Sequence, residues 1–234
     1  MDTLYIVIPA YNEEENIESV TKEWHAIVSK IGGNSSLLII DDGSKDNTYQ
    51  KLLELKKELP FLQPITKTNS GHGGTVLYGY SYAIDKGADY VFQTDSDGQT
   101  IADEFWPLWE QRENYDIQIG HRKGRQDGFS RVFVTKTLKL VLLLTFGLWI
   151  KDANTPFRLM SAESLKKYLP KIPVDYNLSN VLLTVLYEKS KERIKYIPIT
   201  FRPRQGGINS INFKKIIKIG QKALKDFAKL RTHI

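Results

Sequence analysis

Asp95-Ser96-Asp97 follow the apolar run Tyr90-Val91-Phe92-Gln93-Thr94 without a break, which sets two carboxylates at the exit of a buried strand. Hard divalent cations take oxygen ligands, and Mg²⁺ is usually held by one or two carboxylates plus substrate phosphates. A second acidic strand end, Leu37-Leu38-Ile39-Ile40-Asp41-Asp42-Gly43-Ser44, repeats the design. Open α/β sheets bind their ligands outside the carboxyl ends of the strands, so the two ends together imply a metal–diphosphate site. Each has a plainer reading when taken alone. An acid-x-acid turn is commonly just solvated, and Asp41 to Thr48 also reads as a strand, a turn and a helix cap. A third strand end, Ile8-Pro9-Ala10-Tyr11-Asn12-Glu13-Glu14-Glu15, offers Asn12 as a cap and glutamates suited to the positive end of the next helix. Capping does not account for Pro9 or Tyr11.

The elements that must hold these residues alternate in type. Leu4–Pro9 reads as a strand, Glu13–Lys30 as a helix, Leu37–Asp42 as a strand and Thr48–Leu59 as a helix. An extended piece over Phe61–Thr66, a Gly-rich turn over Gly71–Gly74, a helix over Thr75–Lys86 and strands at Tyr90–Thr94 and Asp116–Gly120 follow. Such alternation predicts an α/β fold, a Rossmann-like and mainly parallel sheet between helices. The second half is less regular: a long helix near Arg131–Ile150, a loop with Asp152–Arg158, a helix over Asn177–Lys189 and an extended run Ile194–Arg202. Ile211–Leu230 carries Phe213, Ile216, Ile217, Leu224, Phe227 and Leu230 at helical spacing with six lysines between them, a basic amphipathic helix. This divides the chain into a catalytic domain over residues 1–210 and an extension over 211–234.

Composition narrows the function. The 234 residues suffice for one domain with a substantial core, and the absence of cysteine excludes disulfides and thiolate metal sites. The N-terminus enters a strand pattern at once, with no secretory signal pattern, so a cytoplasmic location is expected. Residues 202–231 hold nine Lys/Arg against one Asp, so the formal net charge of +6 belongs to the tail. A nucleic-acid reader would need that charge around its reading face; here the cleft is acidic, and no nucleic-acid partner is expected. The longest apolar run, Leu138 to Ile150, is interrupted by Lys139 and falls short of the roughly 20 residues that span a bilayer as a helix. It reads as a core helix or as a greasy surface beside an acceptor groove.

Four motifs in order and register, IPAYNEEENI, DDGSKDNT, NSGHGG and DSDGQT, resemble those of the family 2 nucleotide-sugar glycosyltransferases with a GT-A fold. Phe129-Ser130-Arg131, Lys151-Asp152-Ala153-Asn154-Thr155-Pro156-Phe157-Arg158 and Arg202-Pro203-Arg204-Gln205-Gly206-Gly207-Ile208-Asn209-Ser210 look like the polyprenyl-phosphate branch that includes dolichol-phosphate mannose synthase. The resemblance implies that Pro9, Tyr11 and Glu13 line the nucleoside pocket, with Asp42 on the base and Gly71 in the turn beside it. It implies that Asp95 faces ribose and metal, and that Asp97 and Gln99 ligate Mg²⁺ or Mn²⁺ on the donor diphosphate. Arg131 and Arg204 match positions that hold donor and acceptor phosphates, and Asp152 and Arg158 match a loop closing over the sugar. The sequence departs from the pattern at Thr155-Pro156, where many relatives carry Ser-Gly, and at Ser210, which falls one place late. His72, alone in its turn, is read as structural.

The implied activity is inverting transfer of a sugar from a UDP- or GDP-linked donor to a polyprenyl phosphate at the cytoplasmic membrane face. A metal and arginines would neutralise the leaving diphosphate. A lipid phosphate is already anionic and needs no general base, although Asp152 is the candidate if one acts. The basic helix would hold the protein peripherally at the membrane, or else pack its apolar face on the domain. The rival enzyme reading is a saccharide acceptor, with an essential carboxylate base and a dispensable tail. A non-catalytic nucleotide-binding module is the rival from another class, opposed by the intact Asp95, Asp97 and Gln99 set.

Overall fold

The computed structural model describes residues 2–122 and 129–202, the first seven of the latter by backbone alone, together with Phe227. Seven strands form one sheet: β1 (Leu4–Ala10), β2 (Ser36–Asp41), β3 (Leu62–Thr66), β4 (Tyr90–Gln93), β5 (Ile117–Arg122), β6 (Arg158–Ser161) and β7 (Ile194–Ile199). The helices are α1 (Ile17–Ile31), α2 (Thr48–Lys56), α3 (Gly71–Asp85), the single turn α4 (Trp106–Trp109), α5 (Phe129–Phe146), α6 (Ala162–Tyr168) and α7 (Ser179–Lys189). The strand order is β3-β2-β1-β4-β6-β5-β7. All neighbours run parallel except β6, which is antiparallel to both β4 and β5.

β1 and β2 are buried along their whole length, as unbroken apolar runs must be when helices cover both faces of a parallel sheet. One core layer joins the sheet to α3, α5 and α7 through Val7, Val76, Tyr80, Leu142 and Leu182. The other joins it to α1 and α2 through Ile6, Trp24, Ile39 and Leu52. In this second layer Phe92 meets Trp24, Phe105 and Phe157 at centroid distances of 5.1, 5.0 and 4.8 Å.

Pro9 sits on a central strand, where a missing N–H normally costs a ladder bond. The pairing of β1 with β4 ends at Val7↔Gln93, so the β4 side asks nothing of Pro9, while β1 runs on beside β2 through Pro9↔Ile40.

Three expectations change. Arg158–Ser161 is a strand, not the end of a loop; four residues with three of them buried give no alternating pattern to read. The Gly-rich segment is not a turn before α3 but its first turn, because helix begins at Gly71. A Cβ at Gly73 would overlap the carbonyl oxygen of Tyr176, so glycine is needed there for close approach of the 176–177 backbone. Asn12 does not cap α1, which starts at Ile17; Asn12 takes φ 54° and accepts a hydrogen bond from the Lys45 N–H at 2.8 Å.

The expected basic helix and the domain boundary near residue 210 lie outside the described residues, apart from Phe227. That residue is helical and fully buried, with its ring 5.5 Å from Phe146 and 6.5 Å from Tyr176.

Candidate active site

The carboxyl ends of β1, β2 and β4 lie side by side, and the loops that leave them are sewn together. The N–H groups of Asn12 and Glu13 donate to Ser44 Oγ at 2.9 Å and Thr48 Oγ1 at 2.8 Å. Glu13 is buried, its carboxylate accepting from Asn16 Nδ2 at 2.8 Å. Pro9 is buried as well, while Tyr11 stands out at 43 % exposure, the one aromatic ring of this loop open to a planar ligand.

Asp42 reaches the same strand end with its carboxylate already in use. Lys67 Nζ pairs with Oδ1, and the N–H groups of Ser70 and Gly71 donate to Oδ1 and Oδ2, each at 2.9 Å. Asp41 accepts from Thr66 Oγ1 at 2.7 Å. The two aspartates therefore build the loop that starts α3. Gly71 belongs there by backbone as well, at φ 78°.

Opposite, Asp95 Oδ1 lies 3.0 Å from His72 Nε2. Burial opposes charge on this imidazole, but Asp95, by charge and hydrogen bond, with Asp97 and Asp42 behind it, raises the His72 pKa above its ordinary value. Its side chain is still 52 % exposed. Sequence reasoning set His72 aside as structural; its one signal was its place between the glycines of NSGHGG, in the turn that faces the β4 exit. Asp97 Oδ1 accepts the Gln99 N–H at 3.1 Å, which folds the DSDG turn back on itself. Gln99 is held twice to Arg202: the Arg202 N–H donates to the Gln99 carbonyl at 2.8 Å, and Gln99 Nε2 donates to the Arg202 carbonyl at 2.9 Å.

Asp95 and Asp97 fit a hard cation: two half-buried carboxylates, two residues apart, at one strand exit. Among the described residues no three His, Cys, Asp or Glu side chains converge to cage a metal alone. An ion seated here would draw its remaining ligands from Gln99, whose amide oxygen is not the atom given to Arg202, and from a bound diphosphate.

At the end of β5 Asp152 is gripped by Arg122 in a fork, Nε to Oδ2 at 2.9 Å and Nη2 to Oδ1 at 3.0 Å. The Arg122 guanidinium also lies over the Phe201 ring at 5.1 Å. Nothing in the sequence motifs pointed to Arg122; the strand read as ending at Gly120 runs on to Arg122 in the structure. Arg158 is fully buried, its guanidinium donating to the carbonyls of Ala153, Thr155 and Asn180. Burial lowers its pKa, against the pull of Tyr80 and Asp152. Arg158 thus braces the 152–157 loop from within. Arg204 lies outside the described residues, and of Arg131 only the backbone, in the first turn of α5, is described.

The family model for glycosyl transferase family 2 matches residues 5–169. The chain belongs to glycosyl transferase family 2. A UDP-N-acetylglucosamine–dolichyl-phosphate N-acetylglucosaminyltransferase of Methanococcus voltae is 26% identical over 218 residues, covering 84% of either chain. An undecaprenyl-phosphate 4-deoxy-4-formamido-L-arabinose transferase of Pectobacterium atrosepticum is 24% identical over 217 residues, or 92% of this chain; the match spans 64% of that relative's length. Both relatives are named for a polyprenyl phosphate, in line with the branch that the later motifs resemble. Glucosyl-3-phosphoglycerate synthase from Mycobacterium tuberculosis, solved with Mn²⁺ and UDP-glucose, superposes with a TM-score of 0.71 at 18% identity, over 99% of this chain and 79% of its own. The fold of this family 2 glycosyltransferase is GT-A. The end of β4 thus leads into Asp95 and Asp97, and the end of β5 carries Arg122 with Asp152.

Proposed function

We propose that this glycosyltransferase moves a sugar from a UDP- or GDP-linked donor to the phosphate of a polyprenyl phosphate, with inversion, at the cytoplasmic face of a membrane. The observation that carries the reading is the Arg122–Asp152 fork. Asp152 is the candidate base if one acts, yet both its oxygens accept hydrogen bonds from a guanidinium. A hydroxyl acceptor needs its proton removed in the transition state, whereas a phosphate monoester is already anionic near neutral pH. A site whose candidate base is so engaged suits the second acceptor. The dolichyl- and undecaprenyl-phosphate relatives support the same class. The UDP-linked donors of the archaeal relative and of the mycobacterial synthase favour UDP within the donor pair.

Asp95, Asp97 and Gln99 are the residues proposed to hold Mg²⁺ or Mn²⁺, the latter being the ion in the mycobacterial structure. Such an ion supplies positive charge to the leaving diphosphate. The chain's own residues do the rest. Tyr11 offers a face for the base, with Pro9 and Glu13 fixing the loop beneath it. Asp42 shapes the floor through Ser70 and Gly71. Arg131 and Arg204 are proposed to bind phosphate, and Arg158 keeps the 152–157 loop in place.

The test is transfer of radiolabelled sugar from a panel of UDP- and GDP-sugars into extractable polyprenyl phosphate, with Mg²⁺, Mn²⁺ or chelator. Label in the lipid phase that vanishes with chelator is expected. Metal-dependent donor binding with label appearing only in a saccharide would replace the acceptor.

A further inference from the structure

Strand β7 is secured by a parallel ladder with β5 that runs from Ile117↔Ile194 to Arg122↔Ile199. Past Ile199 the ladder stops and burial falls away: Thr200 is exposed, and Phe201 and Arg202 are half-buried. The chain is nevertheless held to the stretch that follows the Asp97 turn. Both oxygens of the Glu104 carboxylate accept the Thr200 N–H, at 3.0 and 2.9 Å. Gln99 takes Arg202 by both of its backbone groups. The Arg202 guanidinium lies 3.9 Å from Glu23 Oε1, which also accepts the Ala102 N–H at 3.1 Å.

The plain reading of Glu104 is an acid in the first turn of a short 3₁₀ helix, Ala102–Phe105, where a helix end favours negative charge. That place alone calls for no partner 96 residues away. Nor does β7 need a further staple, since the bond falls one residue beyond its ladder. A hydrogen bond to a charged acceptor is about twice as strong as one between neutral groups. This one acts where burial does little to fix the chain.

We propose that Glu104 is a positioning residue for the transfer reaction: by holding the Thr200 N–H it sets the path of the strap, residues 200–202, that runs into Arg204. The inference rests on the phosphate-binding role proposed for Arg204, two residues beyond Arg202. Asp95, Asp97, Gln99 and Glu104 belong to one short stretch of chain. The segment that carries the two aspartates therefore also fixes the start of the arm that carries the arginine. Glu104 acts through the backbone of the strap, and what the strap requires of it is an oxygen in place.

The experiment compares Glu104→Ala and Glu104→Gln with the wild type in the full chain, and combines Glu104→Ala with Arg204→Ala in a double-mutant cycle. Rates are measured with the nucleotide sugar and the acceptor, polyprenyl phosphate or saccharide, that the wild type uses. Glu104→Ala should lower kcat/KM for the acceptor by about tenfold, the scale of a misplaced contact, with Mn²⁺–nucleoside diphosphate binding within about twofold of wild type by calorimetry. Glu104→Gln keeps an oxygen for the Thr200 N–H and should recover turnover to within about threefold. In the Arg204→Ala background the Glu104→Ala loss should shrink below about twofold, because nothing is left to position. If the alanine variant melts early, Glu104→Asp, which draws the oxygens back by one methylene, takes its place in the cycle. No loss in Glu104→Ala, no rescue by Glu104→Gln, or losses that multiply in the double variant overturn the proposal. An undiminished rate in Arg204→Ala would refute the phosphate-binding role of Arg204, and this proposal with it, whereas independent losses refute Glu104 alone. A saccharide acceptor, shown by the wild type by itself, would replace the acceptor class and leave the cycle to decide Glu104.

Discussion

Gln99 and Arg202 hold each other at two points, main chain to main chain and amide to main chain. This ties the turn that bears Asp97 to the stretch just after β7. Gln99 is thus a strut between the Asp97 turn and the segment that leads toward Arg204.

A strut and a metal ligand respond differently to Gln99→Glu. The variant keeps an oxygen for a cation and adds charge, but it loses the N–H given to Arg202 and sets a carboxylate against a carbonyl. Mn²⁺ affinity should hold or rise while turnover falls by about tenfold, the scale of one misplaced positioning contact. Calorimetric Mn²⁺ titration beside steady-state rates checks this, and a loss of both in parallel would return Gln99 to a ligand's role alone.

Asp97→Ala should remove metal-dependent turnover, by at least about 100-fold, and leave the fold intact. Asp97 is half-buried in a turn, away from both core layers. Thermal melting and single-turnover assays of the same preparation would decide it; wild-type rates would refute the proposed metal site.

Gly73→Ala tests the packing of the 176–177 backbone on the start of α3. A Cβ there meets the Tyr176 carbonyl and the Asn177 backbone, neither of which can rotate away. A loss of about 1–3 kcal/mol in urea unfolding is expected. An unchanged midpoint would mean that the two segments do not touch.

Asp116 gives a pH signature. Its carboxyl is held below the usual range by the Arg193 side-chain hydrogen bond first, against the opposing effect of burial, and then by the Arg193 N–H at 2.9 Å and the charge of the guanidinium. A depressed native pKa gives stability that is fully present above the ordinary carboxylate value, near about 3.9, and lost as pH falls through the lower native one. Asp116→Asn should therefore lower the melting temperature at neutral pH and flatten the decline on the acid side. Parallel pH–melting curves for the two proteins would show the pair to be idle.

The sequence was most legible where burial is on both faces. β1, β2 and β4 are unbroken apolar runs, and each ends in the residues that form the cleft. β6 was hidden because an antiparallel strand of four residues, inserted between β4 and β5 and opening on a buried arginine, has neither length nor period. The partners of charges were equally out of sight. Asp42 and Lys67 are 25 residues apart in sequence and Arg122 and Asp152 are 30 apart; neither pairing follows from spacing, since both are made by the topology of the sheet. His72 and Asp95 meet for the same reason, one on the first turn of α3 and the other at the exit of β4.

Phe227 alters how the basic segment can be interrogated. Its ring is inside the protein, beside Phe146 at the end of α5 and Tyr176, the residue whose carbonyl fits over Gly73. Deleting the segment would therefore take out a keystone as well as its lysines, baring two aromatic rings and loosening the peptide on which the first turn of α3, with His72, rests. Lost activity in a truncated protein would say nothing about electrostatic attraction to lipid. Reversing the lysines while keeping Phe227 separates the two.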